Sequence, residues 1–505
     1  MKNIKSIISL TLLIFFLLPF FTHGAVLKNS QSSKKTGFIL SGEIINDSSM
    51  SDTVTLYLDK EFGTGNGILP LDSSVVVISK DHHFSLNYSS LASSRYFTLG
   101  IASANQSFPF DQYLIEPGDS IHMVYNQTEK TVRFSGINSA KFNWLFSLSV
   151  NTNKYQATLT KPIFMSEPAE FFANIEKILD FQLEELEKVK RTLSASAYNI
   201  LKADMIAHNR LSIYETMRVS TFGHEYEDPE MGEDMDALYG TKYLDQPIDP
   251  IDPAYLTWSG YYTSYLLAKD RTDFLFRQVH HQQVDSTFLT FLQKQHTGKL
   301  RDKIIVDYVF RSLGFDFNEN MLNDAIRIVE DPYYYSVLSD VKRKLGKGSE
   351  ITSFNFKDKD GNQVDFKKFK GKVVLIDMWF TGCRGCVDVA KNMPPVEKVF
   401  ENNANVVFIS LSIDKDKERW LRSIDPNQMV NGSYTHYTSP TTTYLYTGGT
   451  GSNNEFIKKY NLLNSYPELL LIGKDGKIFS MTPTRPDEPD GQQRLIREIS
   501  QALGN

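Results

Sequence analysis

Apolar and polar residues change rhythm twice along this chain, and the changes divide it into three stretches. Between residues 37 and 135 short alternating runs recur: Phe38 to Ile45, Thr53 to Leu58, Ser74 to Ile78, Tyr96 to Ile101 and Ser120 to Tyr125. Period-two alternation buries one face of a strand. Clusters of Asn, Asp, Gly and Ser interrupt the runs at the spacing of an antiparallel sandwich, so a β-rich domain is expected over 37–135. From 136 to 341 the period lengthens. Phe171, Ile175, Ile178, Leu179, Phe181, Leu183 and Leu186 recur at helical spacing among charged residues, which predicts an amphipathic helix over Phe171 to Thr192. The same pattern predicts helices over Ala195 to Met217, Phe274 to His296, Leu300 to Leu313 and Met321 to Val329. Gly223 to Asp252, rich in Asp, Glu, Gly and Pro, is expected as a long surface loop. Lys342 to Glu350, KRKLGKGSE, is polar and contains glycine, as a linker does.

The third stretch, 351–505, alternates strands with helices. Phe354 to Val364 predicts a hairpin around Asp358 to Asn362, and Phe366 to Phe369 a short turn. Val373, Val374, Leu375 and Ile376 form a continuous apolar run, the mark of a strand buried on both faces in a parallel sheet. Val406 to Ile413 is a second such strand. Helices are expected over Val387 to Phe400, Lys415 to Ile424 and Glu455 to Tyr460, and a last strand over Leu469 to Ile472 before the turn Lys474 to Lys477. Asp425 to Ser452, rich in Thr, Tyr, Gly and Asn, reads as an inserted loop, either shaping access to the end of the central strand or simply solvated, with His436 inside it. The chain is thus multidomain: an N-terminal antiparallel β sandwich-like domain, a central α-helical region, and a C-terminal α/β domain.

Composition narrows the chemistry. The formal charge is −6, or −8 once Lys2 and Lys5 are removed, and no basic patch points to nucleic acid. Residues 1–24 combine a basic start, an apolar stretch from Ile7 to Phe21 and small residues at Gly24 and Ala25, the pattern of a secretory signal peptide cut near Gly24/Ala25. Retention as an anchor is the alternative; the stretch is short for a span and contains Pro19. No cysteine lies there to make a lipoprotein. Only two cysteines occur in 505 residues, Cys383 and Cys386. A bridge between them closes a loop too short to stabilise the fold much, because that stabilisation grows with loop length. The pair therefore points to redox chemistry. His82-His83 and His280-His281 lack the partners or spacing of a metal site. The tyrosines at 255, 261, 262, 265 and 333–335 fit either helix packing or a partner cleft.

Cys383 and Cys386 sit where the strand through Ile376 hands over to a helix. The free N–H groups and positive dipole end of that helix favour a thiolate at Cys383, and Arg384 adds a positive charge. Such settings bring a thiol pKa to roughly 3.5–7.5.

The stretch KVVLIDMWFTGCRGC resembles the thioredoxin superfamily, and more narrowly the exported TlpA/ResA-like thiol–disulfide oxidoreductases. Trp379 stands four residues before Cys383, where the family has tryptophan, and Asp377 stands six before it, where the family has a buried carboxylate. Tyr466-Pro467, ahead of the strand at Leu469, matches the family's cis-proline loop. The looser likeness of 37–135, including the turn Glu116-Pro117-Gly118-Asp119, is to the β domain ahead of thioredoxin domains in exported Bacteroidetes proteins. Gly382 replaces a frequent second tryptophan and Gly385 the usual proline, so Arg384 and Gly385 are the positions expected to tune the redox potential.

The resemblance implies a catalytic set of Cys383, Cys386 and Asp377: attack by Cys383, resolution by Cys386, and proton removal from Cys386 by Asp377. Trp379, Tyr466 and Pro467 are implied to form the substrate side, with an incoming chain adding like a strand. Protein thiols and disulfides are the implied substrates, with reduction of apocytochrome c, repair of other exported proteins and their oxidation all left open, and a membrane thiol donor as the implied source of electrons. No cofactor or metal is implied, and the expected location is the periplasm or the outer face of the cytoplasmic membrane. A docking module that keeps the fold without redox turnover is the other class. A copper site is disfavoured because its relatives use CxxxC with a downstream histidine, and a peroxidase because its threonine stands three before the cysteine, whereas Thr381 stands two before.

Overall fold

The computed structural model describes residues 37–45, 53–58, 72–79, 81–89, 91, 93–101, 113–126, 128–160, 167–222, 229–312, 319–425, 427–430, 433–434, 437, 441–461 and 465–504. The expected signal peptide and His436 lie outside the described residues. Among the described residues, eight strands build the N-terminal domain: β1 (Phe38–Ile45), β2 (Thr53–Leu58), β3 (Asp72–Val77), β4 (His83–Tyr88), β5 (Arg95–Ile101), β6 (Tyr113–Ile115), β7 (Ser120–Asn126) and β8 (Thr131–Ile137). They form two four-stranded sheets, in the orders β4-β1-β7-β8 and β3-β2-β5-β6. Pairing is antiparallel except between β1 and β7, which run parallel. Alternation places Phe38, Leu40 and Ile44 inside with Phe97, Tyr113 and Phe134.

The turn at Glu116 to Asp119 ties this domain to the next. Asp119 is buried, and its carboxylate accepts hydrogen bonds from Lys141 Nζ at 2.6 Å and Asn138 Nδ2 at 2.7 Å. Lys141 begins α1 (Ala140–Gln156), and it also reaches Glu116 at 2.8 Å. The remaining helices of the central region are α2 (Pro168–Val189), α3 (Ala195–Phe222), α4 (Pro229–Leu238), α5 (Pro253–Leu256), α6 (Tyr262–Val279), α7 (Phe288–Gln295), α8 (Gly298–Ser312), α9 (Glu319–Ile328) and α10 (Pro332–Leu345).

Two helical expectations are corrected. The helix expected over Phe274 to His296 is two helices, α6 and α7. His281 has φ +52° between them, and the Thr287 hydroxyl caps α7 by accepting from Thr290 N. The loop expected over Gly223 to Asp252 contains α4 and a π-helical turn at Tyr239–Tyr243. Met235, Tyr239 and Tyr243, spaced four apart among polar residues, supply the buried side of that segment. Tyr262, Tyr265 and Tyr334 are core residues, so the tyrosine clusters serve mainly packing, and Tyr335 alone of these is an exposed large ring.

Beyond α10 the polar stretch is stitched to the last domain. Gly348 N donates to Ile478 O at 2.8 Å, and Ile478 N donates to Ser349 O at 2.9 Å. The C-terminal elements are β9 (Asn355–Lys357), β10 (Gln363–Asp365), β11 (Val373–Trp379), α11 (Arg384–Asn392), α12 (Pro394–Phe400), β12 (Val406–Ser412), α13 (Lys417–Ser423), β13 (Met429–Val430), β14 (Ser433–Tyr434), β15 (Thr443–Tyr446), α14 (Glu455–Tyr460), β16 (Glu468–Ile472), β17 (Ile478–Ser480) and α15 (Gly491–Gly504). The main sheet has the order β10-β9-β15-β12-β11-β16-β17, with β11 parallel to β12 and antiparallel to β16. β15 is a correction: the region expected as a loop contributes a strand parallel to β12, with Tyr446 stacked on Trp420 at 4.9 Å. One face of the sheet, with Val373, Leu375, Leu469 and Leu471, packs on α11, α12 and α15. The other, with Val374, Ile376, Met378, Leu470 and Ile472, packs on α14, in a core continuous with that of the central helices.

Candidate active site

β11 ends at Trp379 and the chain turns through Phe380, Thr381 and Gly382 into α11. Gly382 has φ +99°, a conformation side chains disfavour, which accounts for glycine here. Thr381 is held from below: its N–H and hydroxyl donate to the buried Asp414 carboxylate, the hydroxyl at 2.7 Å, and Arg419 Nη2 donates to Thr381 O at 2.9 Å. Cys383 then caps α11. Its sulfur accepts the Cys386 N–H at 3.1 Å, and the two cysteines are joined as a disulfide with Cα atoms 5.3 Å apart. Cys383 is 6 % exposed and Cys386 0 %, so the first sulfur is the one nearer solvent. Arg384 is exposed at the first turn of α11.

Trp379 is buried behind the dithiol, its Nε1 donating to Ser410 Oγ at 2.6 Å. The ring of Tyr437 stacks on it at 4.3 Å and 11°. The Tyr437 hydroxyl donates to Cys383 O at 3.2 Å and accepts from Gly382 N at 3.4 Å, fixing the backbone on both sides of the Gly382–Cys383 bond. On the other side lies the Tyr466-Pro467 loop, whose peptide bond is cis. A Cβ added to Gly385 would stand 3.1 Å from Pro467 Cδ and 3.8 Å from Arg485 Nη2, so the glycine permits this close approach. The Tyr466 ring meets Phe380 edge-on at 5.6 Å, and Phe380 is 37 % exposed.

Asp377 projects from β11 to the face covered by α11, sharing it with Leu375. It lines a small cavity with Ala390, which lies one helical turn beyond Cys386 on the same side of α11. Asp377 Oδ1 is sealed from solvent and meets no hydrogen-bond donor among the described residues. Burial pushes this carboxyl up to about 7; Arg485 pulls it down, while Asp487 and Glu397 add to the rise. Arg485 is itself chelated by Asp487, at 3.1 and 2.6 Å. Glu468, directly after Pro467, is also buried, and burial raises its carboxyl well above the ordinary range against the pull of Arg485.

All the residues singled out from sequence meet at this end of the sheet: Cys383, Cys386, Asp377, Trp379, Arg384, Gly385, Tyr466 and Pro467. Sequence reasoning missed Tyr437, Asp414, Glu397, Glu468 and Arg485. Asp414 carried a signal, because it follows a parallel strand at the carboxyl end where α/β sites gather. Tyr437 lies in a Thr- and Tyr-rich run whose composition says nothing of position. Among the described residues no group of His, Cys, Asp and Glu is placed to hold a metal ion, and no helix is long and apolar enough to cross a membrane.

Comparison with known proteins fits this geometry. Residues 371–478 match a family model described as thioredoxin-like. The thiol–disulfide oxidoreductase ResA of Bacillus thuringiensis subsp. konkukian is 26 % identical over 137 residues, covering 27 % of this chain and 69 % of that protein, and the ResA of Bacillus cereus matches equally. Among solved structures, the thioredoxin domain of a thiol–disulfide oxidoreductase from Bacteroides vulgatus is 22 % identical, with TM-score 0.25 over 31 % of this chain and 97 % of that one. A thiol–disulfide oxidoreductase from Bacteroides fragilis is 18 % identical, with TM-score 0.25 over 30 % and 99 %. Residues 371–478 thus form a thioredoxin-like domain, and the curated proteins this part of the chain is similar to are thiol–disulfide oxidoreductases.

Proposed function

We propose that this protein is an exported thiol–disulfide oxidoreductase that reduces disulfides of other exported proteins through Cys383 and Cys386. The observation that carries the reading is the Cys386 N–H aimed at Cys383 Sγ at the head of α11. In the reduced protein the same N–H and the helix dipole stabilise a Cys383 thiolate. That thiolate attacks one sulfur of a substrate disulfide, forming a mixed disulfide and expelling one substrate thiolate. Cys386 has no path for its proton to bulk water, since it is fully buried, and Asp377 beneath α11 is the base that takes it. The Cys386 sulfur then attacks Cys383 Sγ, the second substrate thiolate leaves, and two electrons have passed to the substrate. A membrane thiol donor returns the pair to the dithiol. Phe380, Tyr466 and Pro467 form the side on which a substrate chain lies, with Trp379 as the wall behind it. Export rests on the pattern of residues 1–24.

The test is the equilibrium potential of the pair in the mature chain, titrated against dithiothreitol or glutathione. A value near or below about −250 mV supports a reductant kept charged by a donor. A value above about −180 mV makes the protein an oxidant or isomerase, and a pair that cannot be cycled leaves only a docking module.

A further inference from the structure

Asp377 and Glu397 line one small, partly open cavity from two elements, β11 and α12. The cavity measures about 30 Å³, room for a water or two. Leu375, Met393 and Phe408 give it apolar walls, so charge inside it is poorly screened. Glu397 faces inward because Pro394, which lacks an N–H, ends α11 and restarts the helix as α12, turning Val396, Glu397 and Phe400 to the core. Its two oxygens accept from the hydroxyls of Thr442, at 2.5 Å, and Thr441, at 2.6 Å, and Thr442 itself lines the cavity. Facing Glu397, Asp377 Oδ1 has no donor of its own among the described residues. Two carboxylates on one water-sized space of low polarity do not ionise independently.

We infer that Glu397 is a positioning residue for the resolving step: with Asp377 it forms a carboxylate pair that shares one proton across the cavity. The inference rests on the redox reading above and deepens it. When Cys386 gives its proton to Asp377 and its sulfur attacks Cys383 Sγ, the substrate leaves as thiolate and no other oxidant or reductant is needed. The proton then belongs to the pair, and Glu397 sets how readily Asp377 takes it. The other charged or titratable groups acting on Asp377 are Arg485 and Asp487 after β17 and the Tyr437 hydroxyl before β15. Arg485 and Asp487 largely offset one another through their own ion pair. Of the two carboxylates that act on Asp377, Asp487 is tied to Arg485, and Glu397 is the one that lines the cavity.

The experiment follows the rate at which the reduced full-length mature protein cleaves insulin disulfides, from about pH 5 to pH 9. Removing a like charge eases ionisation, so Glu397→Gln is expected to move the profile's acid limb down by roughly half a unit to one unit. Asp377→Asn removes that limb. A Glu397→Gln profile that superimposes on the wild type overturns the inference. A wild type that cleaves nothing overturns the redox reading instead. Carbon-13 carboxyl titration of the oxidised wild type needs neither turnover nor a variant. Glu397 and Asp377 resonances that move together support the pair, and an Asp377 curve with a single step that leaves Glu397 unmoved overturns it.

Discussion

In the central helices Asp273 meets Lys269 at 2.7 Å and the Tyr239 hydroxyl, and Asp307 meets Arg311 at 3.0 Å. Asp302 meets Arg301 and accepts the N–H groups of Glu330 and Asp331, while Asp270 meets His296. At the dithiol end the treatment is opposite. Asp377 Oδ1 has no donor among the described residues, and Glu468, 7 % exposed, sits beside it in the sheet with its carboxyl driven up by burial. The cation that acts on both, Arg485, is bound to Asp487. Beside its cation a buried carboxylate works as architecture: burial still raises Asp273, but Lys269 and the Tyr239 hydroxyl pull it back. One without a cation is driven toward the neutral form, and its proton becomes available at the pH where the protein operates. The contrast also separates Asp377 from Glu468. They lie on neighbouring strands, but Asp377 is on the Leu375 face under α11, and Glu468 shares the Leu470 face toward α14. Only Asp377 lies under the helix that carries the dithiol.

The comparison breaks most visibly if a paired charge is stripped. Lys269→Ala leaves Asp273 buried without its cation and is expected to cost about 3–5 kcal/mol in urea unfolding, with the dithiol potential unchanged. A moved potential would mean the helices tune the site.

Next in size, Asp377→Asn is expected to slow disulfide cleavage at pH 7.5 about a hundredfold, the scale of a lost general base. An unaltered rate would make Asp377 a structural residue like those of the helices.

Stability should also carry the mark of unpaired burial. A carboxyl raised to about 7 in the folded state and ordinary in the unfolded one binds its proton more tightly when folded. Stability from Asp377 is therefore present below about pH 4 and is lost as pH rises toward 7 and beyond. Glu468 has the same sign. Glu468→Gln is expected to raise stability at pH 8 by about 1–3 kcal/mol while leaving the cleavage rate alone, as measured by urea unfolding beside the insulin assay. A fall in rate would erase the distinction between the two faces.

The smallest effect belongs to Tyr437→Phe. It keeps the stack on Trp379 and removes the hydroxyl from Cys383 O and Gly382 N, for about 1 kcal/mol of unfolding free energy.

Much of this was legible because it is local. The apolar run Val373 to Ile376, the spacing from Asp377 and Trp379 to Cys383, and the start of α11 at the cysteines are each set within a dozen residues. The strands β1, β2, β3, β5 and β7 were legible for the same reason: alternation needs only neighbours. What sequence hid was brought in from far away. Glu397 looks like a solvated helix residue until Pro394 turns it inward and Thr441 and Thr442 close over it. The run Thr443 to Tyr446 is a strand, yet the surrounding Thr and Gly read as loop, so β15 and the Tyr437 that precedes it were lost together. Met235, Tyr239 and Tyr243 were too sparse among acids to announce a helix.

The pinning of Gly348 and Ser349 to β17 has a further consequence for encounter geometry. A flexible tether would let the dithiol sample many bearings, and its effective concentration at a bound partner would follow tether length. Here residues 36–505 form one compact body, with a single core running from the central helices into the sheet that bears Cys383. A partner seated on those helices would therefore meet the dithiol at one fixed bearing, and the placement of its own groups, not tether length, would decide which of them reach Cys383.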